Sequence, residues 1–516
     1  MMKKRLPAAL ALLCCFLFTV SVFAVIGRHF TDADMASEFV YADLLNREGS
    51  LHTQNWTYSS ELRIVAPTPV YRAALALFPS WHTARTFSCV LLLLLFLFSA
   101  VWMLRPCRLL AGGLLTACIF AFPFAETYAF FVCYGCHYSV HLCIIFLLMG
   151  LLLRAERGKR LPLYALLSFL LALWGGIGGL RVAMMFAAPA ALAVLWESAS
   201  CLKGEDARAA CSRLPRGQLL CILAVLAGSA AGILVNSRFL SSLFSFDSHA
   251  ATPVLIPSAE AFFAHLSDLF SFFGLRESSR MLSVRGLVSF LSVALCLFCV
   301  FAVICQIRRG TAIPQADRLL ARFSAAALAM GFLINLLTGN YGAQYYLAGL
   351  LAAIASADSF LACTQGRPKA LTSLCAVLLA GCFALSAAVF VRQDMPHGAA
   401  PEEDAAKWLL ENGYTKGYAT FWHGAPITEA SDGQIEIWVL EEPVYSDAWR
   451  HLGLNDILQE KRHYAKEPEG PVFVCLFSEE TGSLPPWADR AHLAVRADWG
   501  RVYTYESAEK LHSLSR

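Results

Sequence analysis

Apolar residues dominate the first 395 positions in long runs separated by short polar loops. Eleven runs stand out, at roughly 6–26, 87–104, 109–124, 138–153, 161–175, 182–197, 218–236, 286–306, 319–337, 345–363 and 371–391. A predominantly apolar stretch of about 18 or more residues has the length of a helix that crosses a bilayer. The first run follows Lys3, Lys4 and Arg5, and Ser21–Ala24 has the small residues of a signal-peptidase site. Its apolar core of about 18 residues exceeds the roughly 7–15 of a signal peptide, which favours an uncleaved helix. Beyond residue 395 the pattern changes. Residues 402–412 have helical spacing with acidic residues in the first turn. Gly417–Trp422, Ile435–Leu440, Val472–Phe477 and Val502–Tyr505 have the alternation of short strands, and a helix around 446–464 fits between them.

The pattern predicts an all-α polytopic membrane bundle over 1–395, followed by a soluble α/β domain over 396–516. Composition agrees. The chain has 516 residues, 57% hydrophobic and 15% charged, against about 25% charged in soluble globular chains. Charge is also partitioned: residues 396–516 carry 11 basic and 20 acidic side chains, whereas 1–395 carry 30 and 18. This excludes a simple soluble enzyme, a disordered chain and a coiled coil. The basic residues cluster in short loops beside apolar runs, which is a footprint of membrane orientation rather than of nucleic-acid binding.

With the N-terminus inside, every inner loop is short and basic. Arg105 and Arg108, then Arg154, Arg157, Lys159 and Arg160, then Lys203, Arg208, Arg213 and Arg216, then Arg308, Arg309 and Arg318, and finally Arg367 and Lys369 fall on that side. An odd number of spans then puts the C-terminal domain outside the cell membrane. Three outer segments are long: 27–86, 237–285 and the tail. The first contains two helical patterns, around Glu38–Leu45 and Pro69–Phe78, expected to lie in the interface plane.

Of the 18 cysteines, most lie in or beside apolar runs, where a free thiol packs as a small hydrophobe. Cys133 and Cys136 form a CxxC without a second metal-binding pair, so packing is the first reading and a disulfide or redox role the second.

The sharpest candidate chemistry follows the first run: Asp32, Asp34 and Glu38. Asp34 and Glu38, four apart, share a helix face, and Asp32 points elsewhere. A carboxylate at a membrane surface can take a proton from an acceptor hydroxyl or amine. The alternative is that these acids merely mark an outer loop.

This layout resembles the GT-C superfamily of polyprenyl-phosphate-sugar-dependent membrane glycosyltransferases. In that superfamily a long first outer loop carries a catalytic carboxylate near its start and two amphipathic helices, and a soluble domain often closes the C-terminus outside. Asp34–Glu38 with Asn55–Arg63, and Gly417–Trp422 in the tail, resemble uncharacterised bacterial membrane proteins of glycosyltransferase-like type. The resemblance implies sugar transfer at the outer face of the plasma (inner) membrane, from a polyprenyl-phosphate donor to a glycan, lipid or protein acceptor. Asp34 would be the base, with Asp32 and Glu38 as rivals, and the reaction would be inverting. A divalent metal (Mg or Mn) is used by some members of the superfamily and not by others.

Such a reaction needs a cation for the leaving phosphate. Arg181, following Gly175-Gly176-Ile177-Gly178-Gly179 at an outer boundary, is the candidate. The glycines could expose backbone amides as an anion-binding concavity. An interfacial arginine reaching lipid headgroups is the alternative. His137 and His141, four apart, are candidates for lining a substrate, for ligating a metal or for packing at the interface, with Glu126 close enough in sequence to orient either. Tyr345 and Gln344 belong to a third outer loop, 340–346. There the superfamily often carries Arg-Tyr followed by Pro, and this chain has Gln344 and Ala348 instead. Trp56 in the first loop is a candidate substrate-binding residue, and Phe421-Trp422-His423-Gly424 with Trp438 in the tail are candidates for a carbohydrate platform, with core packing as the alternative. Two other function classes compete. A lipid or glycan transporter predicts ionisable residues at the membrane midplane, where this chain has few. A non-catalytic envelope-assembly protein predicts that the tail matters and the acids at 32–38 do not.

Overall fold

The computed structural model describes residues 2–59, 62–155, 160–202, 215–244, 258–276, 279–339, 342–363, 369–441, 452–480 and 492–515. Among these the helical part runs α1 (Met2–Ile26), α2 (Ala33–Glu48), α3 (Thr68–Leu77), α4 (Trp81–Leu104), α5 (Leu114–Ala121), α6 (Glu126–Tyr134), α7 (Ser139–Arg154), α8 (Leu161–Ile177), α9 (Ala188–Leu202), α10 (Arg216–Val235), α11 (Ala259–Ser271), α12 (Val284–Arg309), α13 (Gln315–Thr338), α14 (Leu347–Ala362) and α15 (Lys369–Val389).

Each of the eleven apolar runs contains helix. Eight helices among the described residues are long and apolar enough to cross a membrane, and α5 with α6 makes a ninth if the bent pair is one span. That pair turns by 93°. Pro123 explains the break, because it lacks an amide proton and biases Phe122 before it to extended backbone (φ −90°, ψ 140°). The two remaining apolar helices, α7 and α8, are shorter, at 16 and 17 residues.

The glycine run before Arg181 serves helix packing more than anion binding. A Cβ on Gly176 would lie 2.5 Å from the Ser229 carbonyl, and one on Gly232 would lie 2.3 Å from the Leu173 carbonyl. Only glycine lets α8 and α10 approach so closely, as small residues do between membrane helices. At the other end of the bundle, the acid and base nearest an apolar interior are satisfied by protein. Asp358 accepts from Leu110 N at 2.9 Å and Thr116 Oγ1 at 2.7 Å, and Arg322 pairs with Glu197.

The C-terminal part is α16 (Pro401–Glu411), β1 (Lys416–Thr420), α17 (Phe421–Ala430), β2 (Glu436–Leu440), β3 (Val472–Phe477), β4 (His492–Ala497), β5 (Gly500–Tyr505) and α18 (Ala508–Ser515). The five strands form one sheet in the order β2-β1-β3-β5-β4, parallel from β2 to β3 and antiparallel beyond. Period-two alternation gives it two cores. Phe473, Cys475 and Phe477 face Ala405, Leu409 and Ile427 of α16 and α17. Val472, Val474 and Leu476 face Tyr418, Trp438, Tyr503 and Leu511 on the other side.

Several sequence expectations need correction here. Phe421 and Trp422 begin α17 rather than ending a strand, because the helix starts as soon as β1 leaves the sheet. The predicted 446–464 helix survives only as the turn Arg462–Ala465, with 442–451 outside the described residues. β4 and α18 were not anticipated. The first outer loop is not a surface layer. α2 is buried around most of its circumference, since α17 covers the side away from the membrane helices. Residues 55–57 continue this contact as a strand-like ladder with the tail: Leu458 N donates to Thr57 O at 2.7 Å, and Thr57 N to Gln459 O at 2.9 Å.

Candidate functional site

Asp32 begins the site by ending a turn. It is the N-cap of α2, in extended backbone, and its Oδ1 accepts the Met35 amide at 2.8 Å. This is the ordinary use of an aspartate at a helix start. The cap fixes where Asp34 and Glu38 emerge. Gly49, at φ +65°, closes the other end of α2 in the left-handed conformation that glycine adopts freely.

The three acids have three environments. Glu38 is 2% exposed, and its Oε1 lies 3.1 Å from Arg63 Nη1 and 3.1 Å from His137 Nδ1. Burial alone would push its carboxyl up, but His137 and Arg63 beside it hold it below its ordinary value. Asp32 is half-buried. Burial, then the neighbouring Asp34 carboxylate, pushes it up to about 6. Asp34 is also half-buried, and among the described residues no hydrogen bond or ion pair engages its carboxylate. Of the three it alone combines a helix face with two unengaged oxygens.

Arg63 went unassigned in the sequence, because no helical spacing links it to Glu38. His137 is brought to α2, against Glu38. His141 lies one turn on and is 2% exposed. Glu126 does not orient either histidine. It faces away and is 65% exposed, with Arg276 Nη1 3.8 Å off. Among the described residues, three buried polar atoms here have no partner: Glu38 Oε2, His137 Nε2 and His141 Nδ1. Buried polar atoms are nearly always satisfied in folded proteins, so this convergence is suited to a polar ligand.

A second feature adjoins the first. The Arg181 guanidinium lies 4.6 Å from the ring centre of Tyr138, the residue after His137. Arg181 also lines a cavity of about 440 Å³ between the segment joining α8 to α9 and helices α10, α13 and α14. Its other polar walls include Asn236, Ser237, Asn335 and Tyr345, and Met184, Ile233 and Ala348 are among its apolar ones. Thus Arg181 and Tyr345, far apart in sequence, share one wall. Gln344 does not join them. It folds back over Gly342 (φ +126°), where a Cβ would meet Gln344 Oε1 at 2.2 Å. Asn340 and Tyr341 lie outside the described residues.

Trp56 lies elsewhere. It is 1% exposed in a core with Tyr41, Leu45, Tyr58 and Leu458, so its ring serves the junction of loop and tail. Trp438 is likewise buried, stacked on His463 at 4.4 Å, whereas Trp422 is 51% exposed. His423 stacks on Phe477 at 3.8 Å and bonds Glu402 at 2.7 Å. Burial would lower its pKa, but the surrounding Glu402, Glu479 and Glu480 raise it. Cys133 and Cys136 are buried free thiols. No group of three or more histidine, cysteine or acidic side chains is placed to hold a metal among the described residues. Among the described residues, the donor set around Asp32 and Asp34 therefore does not fit an ion held by protein ligands alone.

Sequence reasoning also missed what fixes the site from behind. Arg85 at the head of α4 is fully buried. It makes two bonds of 2.5 Å to the Glu429 carboxylate on α17, and its Nη2 donates to the Met35 carbonyl at 3.0 Å. Met35 adjoins Asp34, so α17 and α4 jointly fix the turn that presents the acids.

No protein-family model and no curated protein matches the chain. Solved structures do. The apo oligosaccharyltransferase of Archaeoglobus fulgidus aligns over 83% of this chain and 64% of its own, at 11% identity and a TM-score of 0.50. The archaeal oligosaccharyltransferase AglB from Archaeoglobus fulgidus, in complex with an inhibitory peptide and a dolichol-phosphate, aligns over 91% of this chain and 69% of its own, at 12% identity and 0.51. ArnT from Cupriavidus metallidurans aligns over 98% of both chains at 12% identity, with a looser fit of 0.41. The chain thus spans about two thirds of the length of the archaeal structures. What it shares with the archaeal oligosaccharyltransferases is the fold.

Proposed function

We propose that the chain is a membrane glycosyltransferase that moves a sugar from a polyprenyl-phosphate donor to an acceptor on the outer face, with Asp34 as base. One observation carries the reading. A cavity with an apolar wall and an arginine-tyrosine pair adjoins, through Tyr138 and His137, a helix that presents an unengaged carboxylate. The fold shared with the archaeal oligosaccharyltransferases supports the same class of reaction.

In this reading the lipid phosphate sits against Arg181, with its chain along Met184, Ile233 and neighbouring apolar residues. Asp34 takes the proton of the acceptor hydroxyl or amine. The acceptor atom bonds to the anomeric carbon as the bond from that carbon to the phosphate oxygen breaks. The electron pair leaves on the phosphate, where Arg181 offsets the charge. A single displacement of this kind inverts the anomeric configuration. Glu38 is an anchor rather than a base, since Arg63 and His137 already engage it. Asp32 caps the helix and shares the field of Asp34.

The same reading takes all eleven apolar segments as spans in the plasma membrane, with the N-terminus cytoplasmic and the unit 396–516 outside. The polarity of the loops supports this, as does the packing of α17 on the outer loop that carries α2. A photoreactive polyprenyl phosphate tests the donor site. Labelling at Met184 and Met185, lost in Arg181→Gln, supports it, and labelling confined to other helices contradicts it.

A further inference from the structure

The C-terminal sheet has a cavity that the transfer reaction does not use. It measures about 250 Å³ and lies on the sheet face opposite α16 and α17, away from the acids of α2. Its walls include Tyr418, Trp438, His463, Tyr464, Glu467 and His512. Ligand pockets for larger molecules run about 300–1,000 Å³, so this one has room for a single ring and not for a chain.

Two features of its lining point to a ligand. Tyr418 is 2% exposed, and among the described residues its hydroxyl has no hydrogen-bond partner. A buried hydroxyl in that state loses its water without compensation unless something else in the cavity bonds it. The charges at the mouth, moreover, are paired. His512 Nε2 lies 3.2 Å from Glu467 Oε1, Lys466 Nζ 2.7 Å from Glu469 Oε1, and His463 Nε2 3.0 Å from Glu436 Oε1. Among the described residues, each of these acids and bases already has a partner at the mouth. What remains is a ring of aromatic groups with one unmet hydroxyl and a rim of polar atoms.

We infer that this cavity binds one neutral sugar residue, with a C–H face against the aromatic wall and a ring hydroxyl on the Tyr418 hydroxyl. A pyranose offers both surfaces, since its C–H face suits the negative face of an aromatic ring and its edge carries hydroxyls. The site stands apart from the transfer reading and holds whether or not Asp34 is a base.

The test uses the full-length protein in detergent and saturation-transfer NMR with the methyl glycosides of glucose, galactose, mannose and N-acetylglucosamine. At least one should receive saturation on its ring protons. Tyr418→Phe, which removes only the hydroxyl, should weaken that binding about three- to tenfold, the worth of one hydrogen bond. Tyr505 has another buried hydroxyl without a partner, but it lies outside this cavity. Tyr505→Phe should leave binding unchanged, and Asp34→Asn should as well, which separates this site from the transfer reaction. No saturation with any of the four glycosides overturns the inference. So does binding that Tyr418→Phe leaves intact, or saturation of a free tryptophan amide in place of every sugar.

Discussion

Arg85 and Glu429, separated by 344 positions in sequence, form a doubly bonded ion pair at the junction of α4 and α17, with side-chain exposures of 0% and 8%. The guanidinium also lies 4.1 Å from the centre of the Phe39 ring and bonds the carbonyl of Met35. A charge pair taken this far out of water is stable only as a unit. Removing one partner strands the other.

Glu429→Gln should therefore cost about 3–5 kcal/mol of stability, the range for breaking a buried pair. The double substitution Arg85→Met with Glu429→Leu should recover most of it, because neither charge is then buried alone. Denaturant unfolding of the two singles and the double gives the coupling. Additive losses would show that the pair is not a unit.

The acids of α2 should separate by role. Glu38→Gln removes a charged acceptor from Arg63 and His137 and should cost about 1.5–3 kcal/mol, the worth of hydrogen bonds to charged groups. Its transfer rate should follow the fraction folded. The Glu38 carboxyl lies below its ordinary 4.5 in the fold. Its contribution is thus full above that value and is lost as pH falls through the lower, folded one. A Glu38→Gln protein as stable as wild type at neutral pH would remove this anchor from the account.

Asp32 has the opposite sign. Its folded value, about 6, lies above the ordinary 3.8. The stability tied to its protonated form is present below about 3.8 and is lost as pH rises through about 6. Asp32→Asn keeps a capping oxygen and never ionises. Its advantage in thermal midpoint over wild type should grow across that window and level off above it. A constant difference would contradict the assignment.

These relationships mark where the sequence was legible. The apolar periods located eleven helical segments, and the spacing of Asp34 and Glu38 on one face holds in α2. Contacts that depend on the tail were not readable. Trp56 stood as a substrate-binding candidate because its partner Leu458, in the C-terminal sheet region, is not visible in the local sequence. The glycines before Arg181 looked like an anion nest, yet Gly176 lets α8 and α10 touch, and a Cβ on Gly175 or Gly178 would strike Val182 or Val65. Arg63 and Arg85 gave no signal, because an arginine outside a helical period could pair with any distant acid.

Arg181 carries the leaving-group claim. Arg181→Gln should lower the rate of transfer by about 10²–10³-fold, the usual effect of losing one preorganised donor to a developing anion. Arg181→Lys should restore only part, since an ammonium keeps the charge but lacks the planar fork and its seat over Tyr138. Transfer kinetics at saturating donor decide this. Equal rates in all three proteins would leave the cavity without a catalytic cation.

The most direct test of the account is transfer from polyprenyl-phosphate sugars in membranes containing wild type, Asp34→Asn or Asp32→Asn. Asparagine keeps the shape of the side chain and removes the base. The account predicts sugar transfer by wild type, a loss of at least about 100-fold in Asp34→Asn, the lower end of what a general base contributes, and a smaller loss in Asp32→Asn. Transfer by Asp34→Asn at the wild-type rate would contradict it.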